Sequence, residues 1–82
     1  MAEIKPVDFP LHTLKNGESG VVTRIRLTGR TKRRLIEMGI TPGVAVTITK
    51  RAPLGDPIEI VVRGYALTLR KEDAALILVK RG

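Results

Sequence analysis

The chain has 82 residues, no cysteine, and fifteen Lys and Arg against eight Asp and Glu, for a formal net charge of +7. That length gives one domain with a core of marginal size. The lack of cysteine excludes disulfide staples, thiolate zinc sites and iron–sulfur clusters, so a reducing cytoplasm is the expected compartment. The charge favours an acidic partner, nucleic acid or an anionic membrane surface. Phe9 and Tyr65 are the only aromatic residues, which leaves a core of Val, Ile and Leu and few rings on which bases stack.

The start, Met1 to Pro6, has neither a charged n-region nor an apolar h-region, and no apolar run approaches the length of a membrane span. A mature, soluble protein is expected. Residues 1–10 carry Pro6 and Pro10 without periodicity and read as an extended lead-in whose Phe9 packs on the domain edge; residues 11–82 read as the folded domain. Leu11 and Leu14, three apart, suit one helical turn ahead of Asn16 and Gly17. From Ser19 to Leu27 the pattern alternates, with Val21, Thr23, Ile25 and Leu27 on one face and Val22, Arg24 and Arg26 on the other, which predicts a half-buried strand with a basic outer face.

Arg30 to Met38 supplies helix formers without Pro or Gly and ends at Gly39, where a left-handed residue stops a helix. Ile40 to Gly43 then forms a tight turn, in which Pro42 presets φ and Gly43 accepts a positive one. Val44 to Arg51 reads as a strand with Val44, Val46 and Ile48 on one face. It pairs with a second strand, facing inward through Ile58, Ile60 and Val62, across the loop Ala52 to Pro57. Gly64 falls where a bulge or sharp bend turns the sheet through a corner, after which Tyr65, Leu67 and Leu69 resume alternation. Lys71 to Ala75 suits one helical turn, and Leu76 to Lys80 a last strand that returns to the edge of the first. The order is mainly β: a small SH3-like barrel of about five antiparallel strands with an inserted short helix.

Signals for catalysis are nearly absent. A Ser-His-Asp or similar arrangement has only His12 to draw on, and that residue stands beside no acid, as a surface or packing histidine does. Gly39, Gly43, Gly55 and Gly64 sit in different turns and match no nucleotide-binding fingerprint. Ferrous iron needs clustered imidazole and carboxylate ligands, whereas the candidates are His12 and the scattered Asp56 and Glu59. Asp56, between Gly55 and Pro57, reads as a turn residue bonded to nearby backbone amides. The expectation is therefore no enzyme, no metal site and no cofactor.

Two features suit recognition. Arg24, Arg26, Arg30, Lys32, Arg33 and Arg34 form a run of six cations without an acid. This is either a solvated face or a patch that steers docking onto an acidic surface, and one of its arginines has the chemistry to stabilise phosphoryl charge in a GTPase site. Leu54 stands at the tip of a loop stiffened by Pro53 and Pro57. Folding back over the barrel end is the expected reading, with presentation to a partner as the alternative, since a rigid loop loses little entropy on binding.

Three stretches, Arg34 to Gly43, Arg51 to Tyr65 and Leu69 to Ala74, follow one another at set separations. Together they resemble the FeoA family, small cytosolic accessory proteins of bacterial ferrous-iron uptake, over roughly residues 11–80. The matching positions are Leu35, Gly39, Pro42, Gly43, Pro53, Leu54, Gly55, Asp56, Pro57, Gly64, Leu69 and Arg70, mostly turn and core residues. The resemblance implies an SH3-like fold and a partner, the membrane ferrous-iron transporter FeoB with its cytosolic G-protein domain. It implies an effect on GTP hydrolysis, on transporter assembly or on both. Two other readings stay open: a nonspecific nucleic-acid-binding SH3-like module, and a stand-alone relative of the C-terminal domain of metal-dependent repressors, which are joined to a helix-turn-helix domain that this chain lacks.

Overall fold

The computed structural model describes residues 8–81. In chain order the elements are β1 (Phe9–Pro10), a 3-10 turn (Leu11–Thr13), β2 (Ser19–Ile25), α1 (Gly29–Glu37), β3 (Ala45–Arg51), β4 (Ile58–Val62), β5 (Tyr65–Leu69), α2 (Lys71–Ala74) and β6 (Ile77–Arg81). The strands form one antiparallel sheet in the order β1-β6-β2-β3-β4-β5. No helix among the described residues is long and apolar enough to cross a membrane.

The period-2 alternation of β3 and β4 sends Val46, Ile48, Ile58, Ile60 and Val62 to one side, and all five are fully buried. Ile77 and Val79 of β6 join them. Leu11, Leu14, Leu35, Ile40 and Ala74, from the segments between strands, close the same core. Each large aliphatic side chain buried there contributes about 1.5–3 kcal/mol, and the Val/Ile/Leu core expected from the scarcity of rings is the one observed.

β2 departs from simple alternation. Its register with β6 runs from Val22↔Val79 to Arg24↔Leu78, so Thr23 is an extra residue. A bulge swaps the parity of everything beyond it. Gly20 and Val22 therefore face the core before the bulge, Ile25 and Leu27 after it, while Val21 and Thr23 are only half-buried. The expected inward set of Val21, Thr23, Ile25 and Leu27 is corrected accordingly. The Thr23 hydroxyl donates to the Leu78 carbonyl at 3.2 Å. A similar bulge interrupts β3 between Ile48 and Lys50, where the Thr49 hydroxyl donates to the Glu59 carbonyl at 3.2 Å.

The last two residues of the expected lead-in form β1, in register Phe9↔Val79 and Pro10↔Leu78. An outer strand tolerates proline because its missing N–H need not pair on the open side. The Arg81 guanidinium lies over the Phe9 ring, 4.6 Å from its centre, which places Phe9 on the domain edge. Residues 1–7 of the lead-in lie outside the described residues.

Helix α1 ends as its sequence dictates. The Ile40 N–H bonds the Leu35 carbonyl and the Gly39 N–H the Ile36 carbonyl, both at 3.0 Å, with Gly39 at φ 95. This is the Schellman arrangement, which satisfies the orphan carbonyls of the last turn. Gly64 does not form a bulge or corner. With Arg63 it makes a two-residue turn in which both φ values are positive, 53 and 84, as a type I′ hairpin requires. β4 and β5 are consequently one unbroken hairpin, paired from Val62↔Tyr65 to Ile58↔Leu69.

Candidate functional site

Helical spacing sets Thr31, Arg34, Leu35 and Met38 along one stripe of α1. Leu35 anchors that stripe in the core and Met38 packs against it. The stripe forms one side of a groove of about 490 Å³, whose remaining lining comes from Asp56 and Pro57, from Thr68, Leu69 and Arg70 at the end of β5, and from Asp73 of α2. The groove thus unites the three stretches singled out in the sequence. Arg34, Leu35 and Met38 come from the first, Asp56 and Pro57 from the second, Leu69, Arg70 and Asp73 from the third.

Asp56 holds these pieces together. Its Oδ1 accepts a hydrogen bond from the Lys71 backbone N–H at 2.9 Å, at the first residue of α2, an amide that a helix start leaves without a carbonyl of its own. The bond reaches fifteen residues along the chain, so the expectation of a bond to nearby amides holds in kind but not in range.

The six cations are all exposed. Among the described residues the ion pairs are Lys50–Glu59 at 3.8 Å and Arg81–Glu18 at 3.1 Å, and neither includes a member of the patch. Arg34 faces the groove, whereas Lys32 and Arg33 lie on other faces of α1 together with Ile36, which is 42% exposed. Arg30, Lys32 and Arg33 crowd the first turns, where no acid is present and Thr28 makes no side-chain cap. Cations at that end oppose the helix dipole and cost local stability.

Leu54 is 94% exposed and does not fold back over the barrel end. The loop closes on itself through Gly55 N–H to the Ala52 carbonyl at 2.7 Å and Ala52 N–H to the Pro57 carbonyl at 3.1 Å. That closure aims the tip outward. A second hollow of about 320 Å³ lies beside the loop, and Pro57 and Thr68 line both.

His12 lies outside the groove lining. Its Nδ1 is buried without a hydrogen-bond partner among the described residues. Burial, with Lys71 and Arg51 nearby, lowers its pKa below the ordinary 6.5. Arg51 is a brace that sequence reasoning missed: Nη1 donates to Asn16 Oδ1 at 2.8 Å and Nη2 to the carbonyls of His12 and Leu14. No local pattern marks it, because its partners lie on a distant segment. Among the described residues no three His, Asp or Glu side chains are placed to hold a metal ion.

Comparison with known proteins matches the FeoA domain to residues 9–81. The Fe(2+) transport protein A/Fe(2+) transporter FeoB fusion protein of Porphyromonas gingivalis (strain ATCC BAA-308 / W83) is 37% identical over 70 residues, covering 85% of this chain. The chain spans about 8% of the length of that curated relative. Among solved structures, FeoA from Chlorobium tepidum is 36% identical with a TM-score of 0.86, over 89% of this chain and 70% of that one. The zinc-complexed FeoA of Stenotrophomonas maltophilia, a procaryotic SH3 domain protein, is 28% identical with a TM-score of 0.73, over 85% of this chain and 87% of that one. The SH3-like fold read from the sequence is the fold observed, with β1 as a further outer strand.

Proposed function

The chain belongs to the FeoA domain family, and from that premise we propose that it is a non-enzymatic accessory protein of ferrous-iron uptake that docks on the cytosolic part of a FeoB-type membrane transporter. The observation that carries this reading is the P. gingivalis relative, in which the two are fused. Fusion fixes a high effective concentration of one part for the other, and it is useful only where the parts act together. The groove suits docking: its lining sets threonine hydroxyls and arginines beside the apolar Leu35, Met38 and Leu69.

The cations of Arg24 to Arg34 supply the second element. All six are exposed and make no ion pair among the described residues, and Arg30, Lys32 and Arg33 are set against the dipole of their own helix; such a patch speeds encounter with an acidic surface. The G-protein domain of the transporter is the target this reading assigns, with the transporter's GTP hydrolysis as the quantity it regulates. Nucleic acid is the competing partner for a chain of net charge +7.

Binding of the purified chain to the full-length transporter in nanodiscs, read by biolayer interferometry beside random duplex DNA, tests the proposal. The expected result is saturable binding to the transporter that weakens with salt and exceeds binding to DNA at physiological ionic strength. No saturable binding, or a preference for DNA, would overturn it.

A further inference from the structure

Among the described residues the sheet has two outer strands, and they differ. β1 is two residues long and contains Pro10, so it offers little to pair with. β5, Tyr65–Leu69, has five residues without a charge, a proline or a bulge. Those are the devices by which edges are blunted. Because a two-residue turn closes the β4–β5 hairpin, Val62 and Tyr65 form its first hydrogen-bonded pair. Alternation along β5 then turns the N–H and C=O groups of Ala66 and Thr68 away from β4. Among the described residues no turn, loop or side-chain hydrogen bond reaches either residue.

Helix α1 lies across the groove from the end of this open edge, at Thr68 and Leu69. At one end the Arg63 side chain lies against Gly39, its Cδ 3.3 Å from where a Cβ would stand. At the other, Thr31 and Arg34 line the groove together with Leu69 and Arg70. The helix is therefore antiparallel to β5, and the groove lies between it and the last residues of the strand. An open strand edge facing a helix is the arrangement in which an extended peptide adds to a sheet. β5 presents roughly 17 Å of edge at about 3.4 Å per residue.

We propose that an extended segment of the transporter's cytosolic part adds to β5 as a further strand and continues into the groove between the end of β5 and α1. The segment alternates apolar and acidic residues. Its apolar side chains meet Leu35, Met38 and Leu69, which line the groove and are packed on or in the core, and its carboxylates meet the α1 wall. That helix carries Arg30, Lys32, Arg33 and Arg34 against Glu37 alone. The same charge argues against a second copy of this chain as the occupant, since pairing two β5 edges would bring two basic helices together. The inference rests on the proposed docking to the transporter.

Amide hydrogen exchange on the full chain, with and without the full-length transporter in nanodiscs, tests it. The amides of Ala66 and Thr68 exchange readily in the free protein and become protected in the complex. Ala66→Pro and Thr68→Pro each delete an outward N–H while sparing the ladder to β4, and each weakens binding by about tenfold or more. An ester linkage at Thr68 in a chemically ligated chain removes the same N–H without proline's constraint on φ, and gives the same loss.

Full-strength binding without protection at these two amides would overturn strand addition and leave the docking proposal standing. Absence of any binding by the wild type would overturn both. Protection that rises with protein concentration in the absence of transporter, together with a dimer in sedimentation, would assign the edge to a second copy and contradict the proposal.

Discussion

The carboxylate of Asp56 accepts a hydrogen bond from the backbone N–H of Lys71 at 2.9 Å, and so fastens the Pro53–Pro57 loop to the first residue of α2. The groove exists because these two chain segments hold this spacing. Asp56→Ala frees an amide at the start of α2 and releases the loop. It is expected to lower stability by about 1 kcal/mol, the typical size of a lost cap or hydrogen bond. The urea midpoint should fall, and transporter binding with it. An unchanged midpoint would show that the bond contributes nothing to the fold.

Gly39 and Gly64 both have positive φ, 95 and 84, but their surroundings differ. At Gly64 a Cβ meets nothing within 4 Å, whereas at Gly39 it meets Arg63 Cδ at 3.3 Å. A β-branched residue is strained at either position through its backbone alone. Gly39→Val must also displace Arg63. Both variants are expected to lose more than about 1 kcal/mol in urea melts, with Gly39→Val the less stable. The reverse order would mean that the Arg63 contact is easily relieved.

Much of this fold was legible in the chain. The alternation of Val46 and Ile48 with Ile58, Ile60 and Val62 gave the central hairpin, and Gly39 gave the helix end, because period and left-handed caps are local signals. The bulge at Thr23 was not legible, since an extra residue shows only against a partner strand, here Leu78 and Val79 of β6. Gly64 was misplaced for a related reason: Arg63 is not a residue type that announces a type I′ turn. The outward aim of Leu54 and the fifteen-residue reach of Asp56 depend on how the loop closes and where α2 returns. The convergence of Leu35, Pro57 and Leu69 on one groove is tertiary information. Sequence order placed them in three motifs, and only the fold makes them one surface.

His12 supplies a pH dependence with a definite sign. Its folded-state pKa is lowered from 6.5 by burial first, then by Lys71 and Arg51. The unfolded chain therefore binds the proton more readily than the folded one. Stability is fully present above the unfolded value and is lost as pH falls through the folded value. Thermal melts from neutral pH toward pH 5 should show a declining midpoint in the wild type, and a shallower decline in His12→Gln. Parallel declines in both would assign the acid sensitivity to other groups.

The central claim is that the basic face of α1 and the groove beside it dock on an acidic partner surface, and charge reversal tests it most directly. Arg30→Glu, Arg33→Glu and Arg34→Glu in one variant alter exposed side chains that make no ion pair among the described residues, so the fold is expected to persist. Exposed charges act over about 8 Å at physiological ionic strength. The affinity for the full-length transporter, measured across a salt series beside random duplex DNA, should fall in the variant, and its dependence on salt should flatten. A folded triple variant that binds the transporter as the wild type does, and loses only its affinity for DNA, would contradict the account.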